Sequence, residues 1–186
     1  MKKIVLTFGL IAGSILSAML LIALRFQDDI GFDRGMVIGY TSMVIAFLLI
    51  FFGVKAFRDN VAGGSVSFGR AFAVGMQIAI VASVCYVITW EVIYYKLAPD
   101  YAAKYQAHVL EKARANGASE AELATQKAEM DKYMELYRNP VINAGITFFE
   151  PLPVALVVAL VSAGVLSRRR KEGVLTSPAV EARRLG

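Results

Sequence analysis

Two glutamates lie inside otherwise apolar stretches, and their side chains are the ones best placed to do chemistry. Glu91 follows Arg70 by 21 positions, and Glu150 precedes Arg168 by 18 positions. At about 1.5 Å of helical rise per residue, each carboxyl group lies about 27–32 Å from a basic boundary. Charged groups inside a membrane segment are costly, so such residues are candidates for a functional site.

Two arginines and three aromatic residues complete this candidate site. Arg25 lies 22 residues after Lys3 and reaches the same level, with Arg34 close by. The hypothesis is a polar cluster near one membrane surface that binds a cationic or amphipathic ligand, moves a proton or contacts a partner. The alternative is structural, with both acids pairing helices or reaching the head groups. The candidate residues are Glu91, Glu150, Arg25, Arg34, Trp90, Tyr94 and Tyr95.

No other residues suggest catalysis, a metal or a cofactor. Cys85 is the single cysteine and His108 the single histidine, and neither has ligand-type neighbours in sequence. The common phosphate-binding, dinucleotide-binding and hydrolase motifs are absent. We therefore expect no enzyme, no catalytic or metal-binding residue and no cofactor. The net charge of +5 comes with a basic cluster directly after an apolar run, which indicates membrane topology rather than nucleic-acid binding.

Four apolar segments are long enough to cross a bilayer and must position these side chains. Hydrophobic residues make up 57% of the chain, and the mean hydropathy is +0.55. The fold class predicted is therefore all-α, a polytopic membrane protein of four helices. The first segment is longer than a signal-peptide core and lacks a cleavage site, which favours a retained helix. The spans are expected at 4–24, 36–54, 71–95 and 142–166.

A polar segment, 99–139, separates the third span from the fourth. Asn116–Gly117 predicts the end of one helix, and Ser119 with Glu122 fits a capping box that opens a second. Each helix carries a sparse apolar stripe, so the segment is expected to form a helical hairpin outside the membrane. The stripes are Tyr101, Tyr105 and Val109 on the first helix, and Leu123, Met130, Met134 and Tyr137 on the second.

Positive charge predicts the orientation. Lys2, Lys3 and the basic C-terminal segment favour cytoplasmic termini, which places the hairpin on the opposite side of a bacterial inner membrane. One membrane domain, 1–171, is expected, followed by a disordered cytoplasmic tail, 172–186. Beside membrane lipids, a protein partner or a second copy is a candidate partner, through the hairpin or through faces of small residues spaced four apart. Packing within one chain is the simpler use of those faces.

Three landmarks resemble a known family. They are Ser67-Phe68-Gly69-Arg70-Ala71-Phe72 before the third span, Pro99-Asp100 after it, and Phe149-Glu150-Pro151-Leu152-Pro153 opening the fourth. Over about residues 1–171 the chain resembles an uncharacterised bacterial membrane-protein family, the domain of unknown function 4199. The resemblance implies four spans in a small inner-membrane protein, and it supplies no activity and no site residues.

The function expected first is a non-enzymatic membrane component that acts through a partner or an oligomer. The alternative is a small transporter or a protein that binds a lipid or amphipathic ligand at the acidic cluster. An enzyme acting on lipid with a glutamate as general base is a third possibility.

Overall fold

The computed structural model describes residues 1–167, and every regular element within that range is helical. The predicted tail, 172–186, and the basic cluster before it lie outside the described residues. In chain order the helices are α1 (Lys2–Arg25), α2 (Gln27–Ile30), α3 (Phe32–Asn60), α4 (Phe68–Val92), a π-helical turn (Ile93–Leu97), α5 (Tyr101–Ala115), α6 (Glu120–Tyr137), α7 (Pro140–Phe149) and α8 (Leu152–Leu166).

Four stretches of helix are long and apolar enough to cross a membrane, which confirms the predicted class. They are Lys2–Arg25, Phe32–Asn60, Phe68–Leu97 and Pro140–Leu166. Large apolar side chains cover their outward faces, as expected of helices solvated by lipid rather than by water. Examples that are at least half exposed are Leu6, Leu10, Val37, Ile45, Ile88 and Val157. The chain is an integral membrane protein of the multi-pass, all-α type.

The bundle core forms where small residues allow the helices to approach closely. Gly9 and Gly13 of α1 face Val81 and Cys85 of α4, and a Cβ atom added at Gly13 would lie 2.6 Å from that of Cys85. Gly75 of α4 faces α3 and α8 in the same way. The predicted faces of small residues are therefore used for packing within one chain. The same core buries Ala71, Ala79, Ser83, Ala155, Ala159 and Ala163 completely.

Helix α3 begins earlier than the sequence predicted, inside what was expected to be a polar linker. The linker folds into the short helix α2, and Gly31 at φ 75° then allows α3 to start at Phe32. Ser67 lies at the N-cap position of α4, but its side chain accepts no capping hydrogen bond. The fourth span is broken between α7 and α8 at Glu150 and Pro151, because proline lacks the backbone N–H that a continuous helix needs.

The helical hairpin is present, and its boundaries follow the predicted signals. Helix α5 ends before Gly117, whose φ is 90°. The capping box at the start of α6 is formed in both directions, between Ser119 and Glu122. Asn139 then caps α7, with Pro140 at its first position. The two hairpin helices are joined by a hydrogen bond of 2.7 Å from Gln106 Nε2 to Asp131 Oδ1.

Candidate functional site

A cavity of about 910 Å³ lies between the hairpin and the bundle end beneath it. This volume is near the upper limit of ordinary small-molecule sites, about 300–1,000 Å³. The membrane helices form the walls, and α5 and α6 form the roof. Its lining is mostly apolar and aromatic, and five methionines make the surface adaptable. The methionines are Met19, Met36, Met43, Met130 and Met134; the aromatic residues are Phe32, Tyr40, Tyr86, Trp90, Tyr94, Tyr101, Tyr105, Tyr133 and Tyr137.

Two positions of α3 have no side chain that could fill the cavity. Gly35 and Gly39 line the cavity, and nothing lies within 4 Å of a Cβ atom added at Gly39. These two glycines are four residues apart, as are Gly9 and Gly13, which bring α1 against α4. Here only the end of the Gln27 side chain, 3.8 Å from a Cβ atom added at Gly35, lies opposite them, so their missing side chains enlarge the cavity instead of closing an interface.

The first attachment of the roof joins α5 to the start of α3. The Phe32 ring contacts three rings of α5, with centroid distances of 5.6 Å to Tyr101, 5.4 Å to Tyr105 and 5.2 Å to His108. Lys112 Nζ lies 2.8 Å from Asp33 Oδ1 in an exposed ion pair. The ion pair adds little energy in water, so the aromatic cluster is the main contact.

The second attachment is a hydrogen-bonded chain where α6 meets α7 and α4. Trp90 Nε1 donates to Tyr137 Oη at 2.9 Å, and Tyr137 Oη lies 3.1 Å from Thr147 Oγ1. Because Thr147 Oγ1 donates its own proton to Asn143 Oδ1 at 3.2 Å, Tyr137 must be the donor to Thr147. Asn143 and Thr147 are almost completely buried. The hydrogen bonds therefore run in one direction, from Trp90 through Tyr137 and Thr147 to Asn143. They hold the hairpin to the bundle.

Glu150 lies at the break between α7 and α8, and its carboxylate is one of the acidic groups that line the cavity. Tyr86 Oη donates to Glu150 Oε2 at 3.1 Å. Among residues 1–167, no side chain or backbone group donates to the second carboxylate oxygen, Oε1. Although Glu150 lies within the fourth span, its side chain is exposed, because it opens into the cavity. Tyr86 thus holds one oxygen and leaves the other available.

The hydroxyl groups around Glu150 stay protonated. Burial and the nearby Glu150 carboxylate raise the pKa of Tyr101 to about 12. Burial also raises the pKa of Tyr137 above its usual range. Both phenols are therefore neutral at physiological pH. Their rings contribute aromatic faces, and their hydroxyls contribute no charge.

The structure divides the predicted site residues into two groups. Glu150, Trp90 and Tyr94 line the cavity. Glu91, Tyr95, Arg25 and Arg34 are not part of its lining. Tyr95 is instead fixed by a hydrogen bond of 3.0 Å to the backbone oxygen of Arg138.

Within residues 1–167, the two glutamates of the candidate site do not pair with its two arginines. Among the ion pairs of residues 1–167, none joins Glu91 or Glu150 to an arginine. Arg25 lies at the exposed end of α1, with its guanidinium group 5.7 Å from the Phe26 ring centroid, and Arg34 is also exposed. Both guanidinium groups can be hydrated there, whereas Glu150 faces the cavity. Glu91 has one buried carboxylate oxygen without a hydrogen-bond partner within the described chain.

Sequence reasoning missed Tyr86 and Tyr137, although both signals were present. Tyr86 lies four residues before Trp90 and so on the same face of α4. Tyr137 belongs to the predicted apolar stripe of α6, and most of the two stripes lines the cavity. The stripes indicated a buried face, but periodicity does not tell which surface that face covers.

Comparison with known proteins now identifies the family. Residues 7–168 match the family described as "Protein of unknown function (DUF4199)". The chain belongs to this family. The match extends over every helix that lines the cavity. No curated protein and no solved structure matches the chain.

Proposed function

We propose that this membrane protein is not an enzyme and that it binds a single amphipathic molecule between its bundle and its hairpin. The observation that carries the proposal is the cavity of about 910 Å³, walled by membrane helices and roofed by α5 and α6. An apolar lining with a few polar groups is the common form of a small-molecule site. The alkyl portion of the ligand contacts the α1 and α3 walls, and its polar head lies near Glu150.

The lining supports an amphipathic ligand rather than a purely polar one. Aliphatic and methionine side chains of α1 and α3 occupy the membrane side of the cavity, including Leu16, Leu20 and Met43. Polar groups collect where α4 meets the hairpin, at Tyr86, Tyr137 and Glu150. A molecule with a chain at one end and a polar group at the other satisfies both regions. Burying its chain supplies about 25 cal/mol per Å² of apolar surface.

The test adds one large side chain inside the cavity and counts the lipid molecules that stay bound to the protein. The protein is reconstituted in nanodiscs of phosphatidylcholine, released in the gas phase and weighed by native mass spectrometry. We expect one retained lipid per chain in the wild type and none in Gly39→Leu. Gly164→Leu is the matched control, because nothing lies within 4 Å of its Cβ position either and Gly164 does not line the cavity. Equal retention in both variants, or no retained lipid in the wild type, would contradict the proposal.

A protein partner is the second candidate function. Tyr133 and Leu136 of α6 are 53% and 57% exposed, which leaves apolar surface on the hairpin outside the membrane spans. Such surface suits a docking partner. Deleting residues 100–138 should then remove a specific co-purifying protein. A protein that purifies alone with and without the hairpin would argue against this function.

A further inference from the structure

We infer that the cavity selects amphipathic molecules whose head group is a positively charged ammonium. This inference rests on the proposed binding function and specifies the chemistry of its ligand. It follows from the charges of the lining, the arrangement of aromatic rings and the available oxygen of Glu150.

Among residues 1–167, the side chains that line the cavity include acidic groups and no basic ones. Its ionisable side chains of the Asp, Glu, Lys, Arg and His types, within the described part of the chain, are Glu129 and Glu150. A phosphate, sulfate or carboxylate head group would find no cation there to compensate its charge. An ionised carboxylate in an apolar site needs a compensating charge as well. A cationic head group supplies that charge.

Aromatic rings of α4, α5 and α6 line the cavity together with Glu150 and pack against one another. The Trp90 ring lies 5.1 Å from the Tyr101 ring and 6.1 Å from the Tyr94 ring, measured between centroids. Tyr94 lies 5.3 Å from Tyr137. Aromatic faces attract cations, and cages of such rings bind quaternary ammonium groups. Because the Tyr137 hydroxyl and the Trp90 N–H bond each other, the ring surfaces are the part left for a ligand.

Glu150 is the residue that determines the preference. Tyr86 occupies one carboxylate oxygen, and the other opens into the cavity next to these rings. Glu150→Gln removes the charge but keeps an oxygen that accepts the hydrogen bond from Tyr86. The substitution therefore separates the electrostatic role of the side chain from its structural role. Glu91 provides a matched control, because it lies on the same helix as Trp90 but outside the cavity lining.

The experiment compares two amphipathic molecules of nearly equal shape. Dodecyltrimethylammonium carries a fixed positive charge, and dodecyldimethylamine oxide has a similar head with no net charge at mildly alkaline pH. Each is titrated into the protein in micelles of the uncharged detergent dodecyl maltoside, which carries no ammonium group, with empty micelles subtracted. The fluorescence of Trp90, the single tryptophan of the chain, reports binding. We expect the cation to bind about tenfold tighter, or more. Glu150→Gln should remove this preference, whereas Glu91→Gln should keep it.

The outcomes distinguish this inference from the proposed function. If neither molecule gives a saturable change that Gly39→Leu prevents, the binding function itself is wrong. If both molecules bind equally to the wild type, the cavity binds amphipathic molecules but does not select cations. An equal loss of preference in Glu91→Gln and Glu150→Gln would show a general charge effect and would also overturn the inference.

Discussion

Two pairs of glycines with the same spacing have opposite roles in this bundle. Gly9 and Gly13 bring the middle part of α1 into contact with α4. Gly35 and Gly39 of α3 line the cavity beneath the hairpin. The difference lies in what faces them, since α4 packs tightly on the first pair, whereas the second pair meets only the end of the Gln27 side chain, 3.8 Å from a Cβ atom added at Gly35. Small-residue spacing therefore permits close approach, but the surrounding helices decide whether it closes an interface or leaves a site.

The largest expected effect tests this contrast directly. Gly13→Leu should destabilise the protein by more than about 3 kcal/mol, because the new side chain would overlap Cys85 in a packed core. Gly39→Leu should leave stability almost unchanged, because its side chain enters open space. Thermal unfolding in a mild detergent measures both. Comparable destabilisation by the two substitutions would show that the cavity is not open in the folded protein.

Tyr137→Phe should have the next largest effect. It leaves the N–H of Trp90 without its acceptor and removes the donor to the hydroxyl oxygen of Thr147, which keeps its own bond to Asn143, at a cost of about 1–3 kcal/mol. Amide hydrogen exchange of α6 should accelerate while that of α1 stays the same. Tyr133→Phe is the control, because the Tyr133 ring stacks on Tyr137 while its hydroxyl is not one of the groups in the hydrogen bonds from Trp90 to Asn143. Equal acceleration in both variants would mean that the hydrogen bonds do not hold the roof.

Ser119→Ala should have a smaller effect that is limited to the hairpin. Loss of the cap costs about 1 kcal/mol of helix stability. Amide exchange should accelerate in the first turn of α6, with no change in the membrane helices. Acceleration that extends into α4 would show that the hairpin and the bundle unfold together.

The same cap predicts a pH dependence. Hydrogen bonds from the backbone and side chain of Ser119 lower the pKa of Glu122 below its ordinary value of 4.5. The stabilisation from Glu122 is therefore complete above pH 4.5, and it is lost as the pH falls through the lower value of the folded protein. Exchange in α6 should accelerate over that range in the wild type. Glu122→Gln should lack this part of the pH dependence.

Lys112→Ala should have the smallest effect. Lys112 and Asp33 are both more than half exposed, so water and salt screen their attraction. Thermal stability should not change measurably, and ligand binding should be retained. A clear loss of either would show that this ion pair, rather than the Phe32 cluster, fastens α5 to the bundle.

Much of the fold could be predicted because its signals are local. The length of each apolar run, the capping box at Ser119 and the prolines after Glu150 act through nearby backbone, so the sequence alone indicates them. The start of α3 at Phe32 was not predicted, because charged residues there resemble a linker, whereas the structure begins α3 directly after α2 and Gly31.

The candidate site could be predicted only in part. Glu150, Trp90 and Tyr94 stood out as polar or aromatic groups within apolar runs, and all three line the cavity. The pairing of Glu150 with Tyr86 could not be found, because 64 residues separate them and the register between helices decides it. The same reason explains why Arg25 and Arg34 were expected in one cluster with the glutamates. Similar depth along two helices does not show which way the side chains face.

The most direct test of the account asks whether an alkyl chain enters the cavity. Amphipathic molecules brominated on the alkyl chain close to the head group quench tryptophan fluorescence on contact, and Trp90 lines the cavity beside the proposed head-group position. A double variant, Trp90→Phe with Ile88→Trp, moves the reporter to a lipid-facing position that is 60% exposed. In the wild type, we predict that the unbrominated ligand displaces the brominated one and relieves the quenching of Trp90 with the dependence of a single site. In the double variant, we predict that quenching depends only on the proportion of brominated molecules in the bilayer. Identical, non-saturable quenching in both proteins would contradict a ligand-binding cavity.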